Sequence, residues 1–109
     1  MMKRYQHPDL ADISLATVLQ ALADPCRVAV VCSMMEDEDR ERACNEIPLS
    51  VGKATRSHHF EVLRSAGLIQ TRVEGTKCLS RLRRSEFEDR FPGLLALVQA
   101  ENTARLTAK

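Results

Sequence analysis

The chain has no tryptophan, one tyrosine and three phenylalanines among 109 residues, so it is poor in the aromatics that a protein-binding face would expose. Only four glycines are present, too few and too scattered for a phosphate-cradling loop. No apolar run approaches the roughly 18 residues that a membrane span needs. The first dozen residues, MMKRYQHPDLAD, lack the apolar core of a secretory signal, and the expected location is cytoplasmic. Four cysteines, Cys26, Cys32, Cys44 and Cys78, match no zinc-ribbon spacing and no secreted disulfide scaffold. Neither paired carboxylates nor a nucleophile with its base can be assembled, which argues against an enzyme.

What is present is an uneven distribution of charge. The total is +1, yet residues 1–52 carry a net −4, residues 53–84 a net +6 and residues 85–109 a net −1. A basic central third between acidic flanks is the footprint of a surface that meets polyphosphate.

At this length the chain makes one domain. Residues 1–10 are polar, contain Pro8 and read as a loose arm in which His7 is a surface histidine. From Asp12, apolar residues at 13, 15, 18, 19 and 22 recur at helical steps and predict about three turns. Asp24 and Pro25 then supply an N-cap and a first-turn proline for a second helix. Its VAVVCSMM segment is apolar nearly all round and belongs at the centre of the domain. The run EDEDRER, residues 36–42, reads as a solvated loop whose negative charge keeps it away from nucleic acid. Residues 44–47, limited by Pro48, allow only a small helix.

Residues 53–66 form the most informative stretch. Placed at 100° per residue, Phe60, Leu63, His59, Ala66, Thr55 and Val62 share an inward arc. Lys53, Ala54, Ser57, Glu61 and Arg64 lie opposite, with His58 and Arg56 at the edges. His59 is thus expected in the core, bonded to backbone, and His58 outside. Adjacent histidines face different ways, so the pair is no metal site. The outward set offers what a major groove recognises: cations for guanine, hydroxyls for bases or phosphates, small groups for thymine methyls. Gly67 suits the left-handed position that ends the helix. The period then changes to two, and residues 69–82 read as a hairpin turning at Glu74-Gly75, with Arg72 and Lys77 beside its tip. A short helical piece ends at Pro92-Gly93, and residues 94–106 make a last helix. The expected fold is mostly α with a small β-hairpin, a winged helix-turn-helix. The candidate DNA contacts are Lys53, Thr55, Arg56, Ser57, His58, Arg72 and Lys77, with Thr55 the lesser because it faces inward.

The segments LADPCRVAVV and KATRSHHFEVLRSAGLIQTRVEGTKCLSRLR resemble the ArsR family of small winged-helix repressors, in register over roughly residues 13–98. The resemblance implies a homodimer formed through the first and last helices, double-stranded operator DNA as partner, and release by a small-molecule or redox inducer. Many members hold metal through a Cys-x-Cys motif before the recognition helix, where this chain has RACNEIPL with Cys44 alone. Others use histidines on the last helix, and this chain has none after Arg84. No metal site or cofactor is therefore carried over. Thiols remain as a candidate sensor: Cys26 in the first turn of its helix beside Arg27, Cys32 about 9 Å further along and on another face, and Cys44, expected to approach either of them within the fold or across the dimer. Cys78 on the hairpin is expected to pack. A winged-helix protein-interaction module is the competing class, disfavoured by the scarcity of aromatics.

Overall fold

The computed structural model describes residues 5–36, 40–43, 46–47 and 49–107. A 3-10 turn, Leu10–Asp12, leads into α1 (Leu15–Ala21), α2 (Pro25–Glu36), β1 (Arg42–Ala43), α3 (Lys53–Ser65), β2 (Ile69–Glu74), β3 (Lys77–Leu82), α4 (Arg84–Arg90) and α5 (Leu94–Thr107). The first helix is shorter than the three turns expected. Ser14 accepts a hydrogen bond from the Thr17 amide and starts α1 there, so Ile13 stays outside the helix although it is buried. The Asp24 cap forms as anticipated: Oδ1 accepts from the amides of Cys26 at 2.8 Å and Arg27 at 3.4 Å.

Helix α2 is the centre. Val30, Val31, Cys32, Met34 and Met35 are buried in it, and it packs against α3, α5 and β3. Phe60 and Leu63 from α3, Phe87 from α4 and Leu95 from α5 complete the core with Val18, Ile47, Leu68, Ile69 and Leu82. These are large apolar side chains from every element, each contributing about 1.5–3 kcal/mol by leaving water.

The hairpin carries a third strand. The sheet order is β1-β3-β2, all antiparallel, with Arg42 opposite Ser80 and Thr71 opposite Ser80 on the other side. The end of the charged run is thus not a free loop; Arg42 and Ala43 pair with β3. Thr71 and Ser80 are both buried and share a 2.8 Å hydroxyl hydrogen bond, which satisfies two polar groups at the root of the hairpin. Residues 37–39 and 44–45 lie outside the described residues, so the small helix expected at 44–47 is described only at its last two positions.

Residues 5–10 are no loose arm. His7 Nε2 accepts from the Thr71 amide at 2.9 Å, at the edge of β2. Arg83, buried at the start of α4, donates to the Pro8 carbonyl at 2.8 Å, and Arg90 donates to the carbonyls of Leu10 and Ile13. Leu10 and Ile13 close over Gly67, whose φ of +79° ends α3. A β-carbon at Gly67 would collide with the side chains of both.

Two outcomes test this packing. Gly67→Ala combines a left-handed backbone with an overlap in the core and should lower stability by about 2–4 kcal/mol. Gly52→Ala, where a β-carbon meets nothing within 4 Å, should cost under about 1 kcal/mol; equal losses in urea unfolding would contradict the account. His7 also ties stability to pH. Burial, Arg83 and Arg64 hold its pKa below the ordinary 6.5, so the folded state prefers the neutral ring. The stabilisation is present above the unfolded value and fades as pH falls through the window beneath it. His7→Gln should flatten the thermal-midpoint profile between about pH 7.5 and about pH 5.5.

Candidate nucleic-acid interface

Helix α3 begins without a side-chain cap, since Gly52 has none to offer, and the Arg56 amide bonds the Gly52 carbonyl at 2.9 Å. Arg56 also uses its guanidinium at this corner. Nη1 donates to the Ile47 carbonyl at 2.7 Å and Nη2 to the Leu49 carbonyl at 3.4 Å. The arginine expected as an outward cation is therefore a clamp that fixes the turn against the helix it precedes.

The first two turns of α3 leave Lys53, Ala54, Thr55, Ser57 and His58 exposed. Thr55 departs from its expected inward orientation, because the helix projects beyond the core at its N-terminus and a wheel cannot register that. Further along, His59, Phe60 and Leu63 are buried. His59 is a core residue as expected, but its partner is not backbone: Nδ1 lies 3.1 Å from Nη1 of Arg27. A guanidinium can only donate, so Nδ1 is the acceptor and a neutral ring carries its proton on Nε2.

At the wing, Glu74, Gly75, Thr76 and Lys77 form an exposed tip, with Gly75 at φ +63°. Arg72 is engaged. Glu41, just before β1, takes Nε at 2.7 Å and Nη2 at 2.9 Å in a two-pronged pair, and Glu74 takes Nη1 at 2.9 Å. The hydrogen bonds from Arg72 hold the Glu41 carboxyl below its ordinary range, and the same contacts raise Arg72 further. An acidic residue from the run expected to point away from nucleic acid thus occupies a cation expected to touch it.

Much of the basic central third is similarly committed within the fold. Arg64 lies 4.3 Å over the Tyr5 ring and reaches Thr71 Oγ1, and Arg83 pairs with Glu86 at 2.8 Å. Lys53, Lys77 and Arg81 are exposed. The positive face is thus made of fewer cations than the sequence suggests, placed at the start of α3 and along the wing.

Among the thiols, Cys32 is buried, and burial followed by the charge of Glu36 pushes its pKa up, which suits packing rather than chemistry. Cys26 is half-buried, and Cys44 lies outside the described residues. Cys78 sits with its sulfur 3.3 Å from the Tyr5 hydroxyl, joining the N-terminal segment to the wing. Sequence reasoning missed one grouping: Asp24, Cys26 and His59 converge, with one potential ligand atom each within 4.8 Å of the others. The cap position and the inward histidine were both visible, but not that the two helices meet there. No single helix among the described residues is long and apolar enough to cross a membrane.

No family model matches the chain. It is 33% identical over 82 residues to YceK, an uncharacterised HTH-type transcriptional regulator of Bacillus subtilis, spanning 73% of this chain and 81% of that protein. Its structure is similar to that of the transcriptional repressor BigR from Xylella fastidiosa, with a TM-score of 0.63 and 27% identity over 82% of this chain and 83% of the other. It is also similar to a homodimeric winged helix-turn-helix DNA-binding domain from Mycobacterium bovis, a possible ArsR-family regulator. There the TM-score is 0.64 and the identity 28%, over 87% of this chain and 83% of the other. With a turn clamped onto an exposed helix, a wing beside it and these relatives, the chain belongs to the ArsR family of winged helix-turn-helix, DNA-binding transcriptional regulators.

Proposed function

We propose that this regulator is a cytoplasmic homodimeric repressor. In this reading α3 enters the major groove of double-stranded operator DNA, the wing follows the adjoining backbone, and an inducing signal releases the complex. The observation that carries the reading is the exposed first half of α3. Lys53 supplies a cation for guanine or phosphate, Thr55 and Ser57 supply hydroxyls, His58 a further donor, and Ala54 an apolar contact. Lys77 lies at the wing tip within the same basic sector. Arg56 serves the complex through the turn it clamps, and Arg72 reaches DNA only by leaving Glu41.

Dimerisation has its own support. Leu15, Leu19 and Leu97 are large apolar side chains at 49, 51 and 65% exposure. Leu15 and Leu97 line one groove with Phe91 and Leu94, where α1 meets the start of α5. A second copy covering this face would set two α3 helices a fixed distance apart, as a palindromic operator requires.

Lys53→Glu should weaken binding to the chain's own upstream DNA by roughly a hundredfold while leaving the dimer intact, and wild-type affinity should fall steeply with salt. A mobility shift showing weak, salt-insensitive association in the wild type would end the reading. Arg56→Glu should differ from Lys53→Glu by lowering the thermal midpoint as well as the affinity. Leu97→Glu should yield a monomer in sedimentation, with an unchanged helical spectrum and weaker DNA binding. A Leu97→Glu protein that remained dimeric would place the interface elsewhere.

A further inference from the structure

We propose that Asp24, Cys26 and His59 form a binding site for a divalent transition metal of the zinc class, in which the metal takes the position of the Arg27 guanidinium. The three side chains come from the cap and first turn of α2 and from the middle of α3, and their ligand atoms lie within 4.8 Å of one another. A tetrahedral zinc spaces its ligands by roughly 3.3–3.8 Å, so closure brings the ligand atoms together by about 1 Å once the guanidinium has left.

The arrangement already holds a cation. Arg27 Nη1 stands 3.1 Å from His59 Nδ1 and 3.9 Å from Asp24 Oδ2. The imidazole lone pair and one carboxylate oxygen therefore point at a single positive group. Asp24 can serve the metal without giving up its cap, because Oδ1 takes the amides of Cys26 and Arg27 and leaves Oδ2 to the cation. Cys26 adds a half-buried sulfur, which as thiolate would balance, with Asp24, the two charges of the ion. Sulfur, imidazole nitrogen and one carboxylate oxygen make a borderline-soft set that selects zinc, cobalt or nickel over magnesium and calcium. Water would supply the fourth ligand.

Displacement costs the guanidinium its bonds to the Ala21 and Gln20 carbonyls as well as to His59, and the metal–ligand bonds have to offset them. An open cleft of about 470 Å³ lies between α1 and α3, lined by Gln20, Arg27, His58 and Glu61 among others. Glu61 offers a carboxylate there in exchange for Asp24. Metal binding releases the thiol proton, so affinity falls as pH drops.

The metal site stands whether or not the chain represses transcription, and its test uses the protein alone. Metal-free full-length protein is titrated with Co²⁺, read by the thiolate-to-cobalt charge-transfer absorption, and with Zn²⁺ against a chromogenic chelator. One equivalent should bind with that absorption, and Mg²⁺ should not compete. Cys26→Ser should abolish the band, and Cys32→Ser and Cys78→Ser should keep it. Asp24→Asn preserves the cap and should lower Zn²⁺ affinity roughly a hundredfold or more, beyond what losing an outer-shell partner does. Glu61→Gln removes the carboxylate that would receive the guanidinium and should weaken Zn²⁺ binding, although Glu61 is no ligand. Absence of stoichiometric binding, or a band that survives Cys26→Ser, overturns the site. Unchanged affinity in Glu61→Gln overturns the exchange of guanidinium for metal. Circular dichroism on each variant separates lost ligands from lost fold.

Discussion

One guanidinium joins the first three α-helices of this molecule. Arg27 donates from Nε to the Ala21 carbonyl at 2.7 Å and from Nη2 to the Gln20 carbonyl at 3.4 Å, closing the end of α1. It sits beside Asp24, which caps α2, and meets His59 of α3 through Nη1. The Gln20 and Ala21 carbonyls lie in the last turn of α1, where intrahelical donors run out, and the buried His59 nitrogen is costly to leave without one. A single planar group with five N–H donors serves these acceptors, and its charge lies 3.9 Å from Asp24. Lysine, a point charge with no fork, could not span the same set. The angle at which α3 leaves the body is therefore set by polar contacts at one corner, with Phe60 and Leu63 supplying the apolar grip beneath.

The same economy explains why a basic stretch carries fewer free cations than its sequence promises. Arg56, Arg64, Arg72 and Arg83 each satisfy carbonyls, carboxylates or an aromatic face within the fold, and Arg90 just beyond the stretch does the same. Several of these hold the N-terminal segment down. Arg83 and Arg90 grip the carbonyls of residues 8–13, Arg64 lies over Tyr5, and His7 takes the β2 edge amide. In a domain this small, residues 5–13, laid across Gly67 and the wing root, add core that helices alone would not supply. Charge density along a sequence records where cations are, and not what they hold. Here it overstated the number of cations left without a partner inside the chain.

Local signals in the sequence were reliable where local physics decides the outcome. The Asp24-Pro25 start of α2, the Gly67 stop of α3 and the Glu74-Gly75 turn each follow from backbone preferences of one or two residues. The burial of His59 and the exposure of His58 followed from helical periodicity. What periodicity could not show were contacts between elements distant in the chain. The Arg42–Ser80 strand pairing, the Arg72–Glu41 ion pair and the His7–Thr71 bond span from 31 to 64 residues. A charged run reads as solvated until the sheet edge beside it is known. Likewise, a histidine on an inward face reads as bonded to backbone until the arginine opposite it is placed.

The adjacency of His58 and His59 then acquires a mechanical meaning. Their ring centroids lie 6.3 Å apart, one ring exposed and the other buried against Arg27. Consecutive helix residues are fixed relative to each other by the backbone, so a change in what His59 binds can be accommodated only by moving its side chain or α3 as a body. A buried ring has little side-chain freedom, because close-packed interiors resist displacement. Movement of the helix would carry Ser57 and His58 with it. Any ligand that distinguishes two positions of His59 would thereby distinguish two positions of the reading surface, and by linkage DNA would distinguish them in return. The corner that holds α3 in place is thus also the place in the fold where the smallest chemical change would reach the helix most directly.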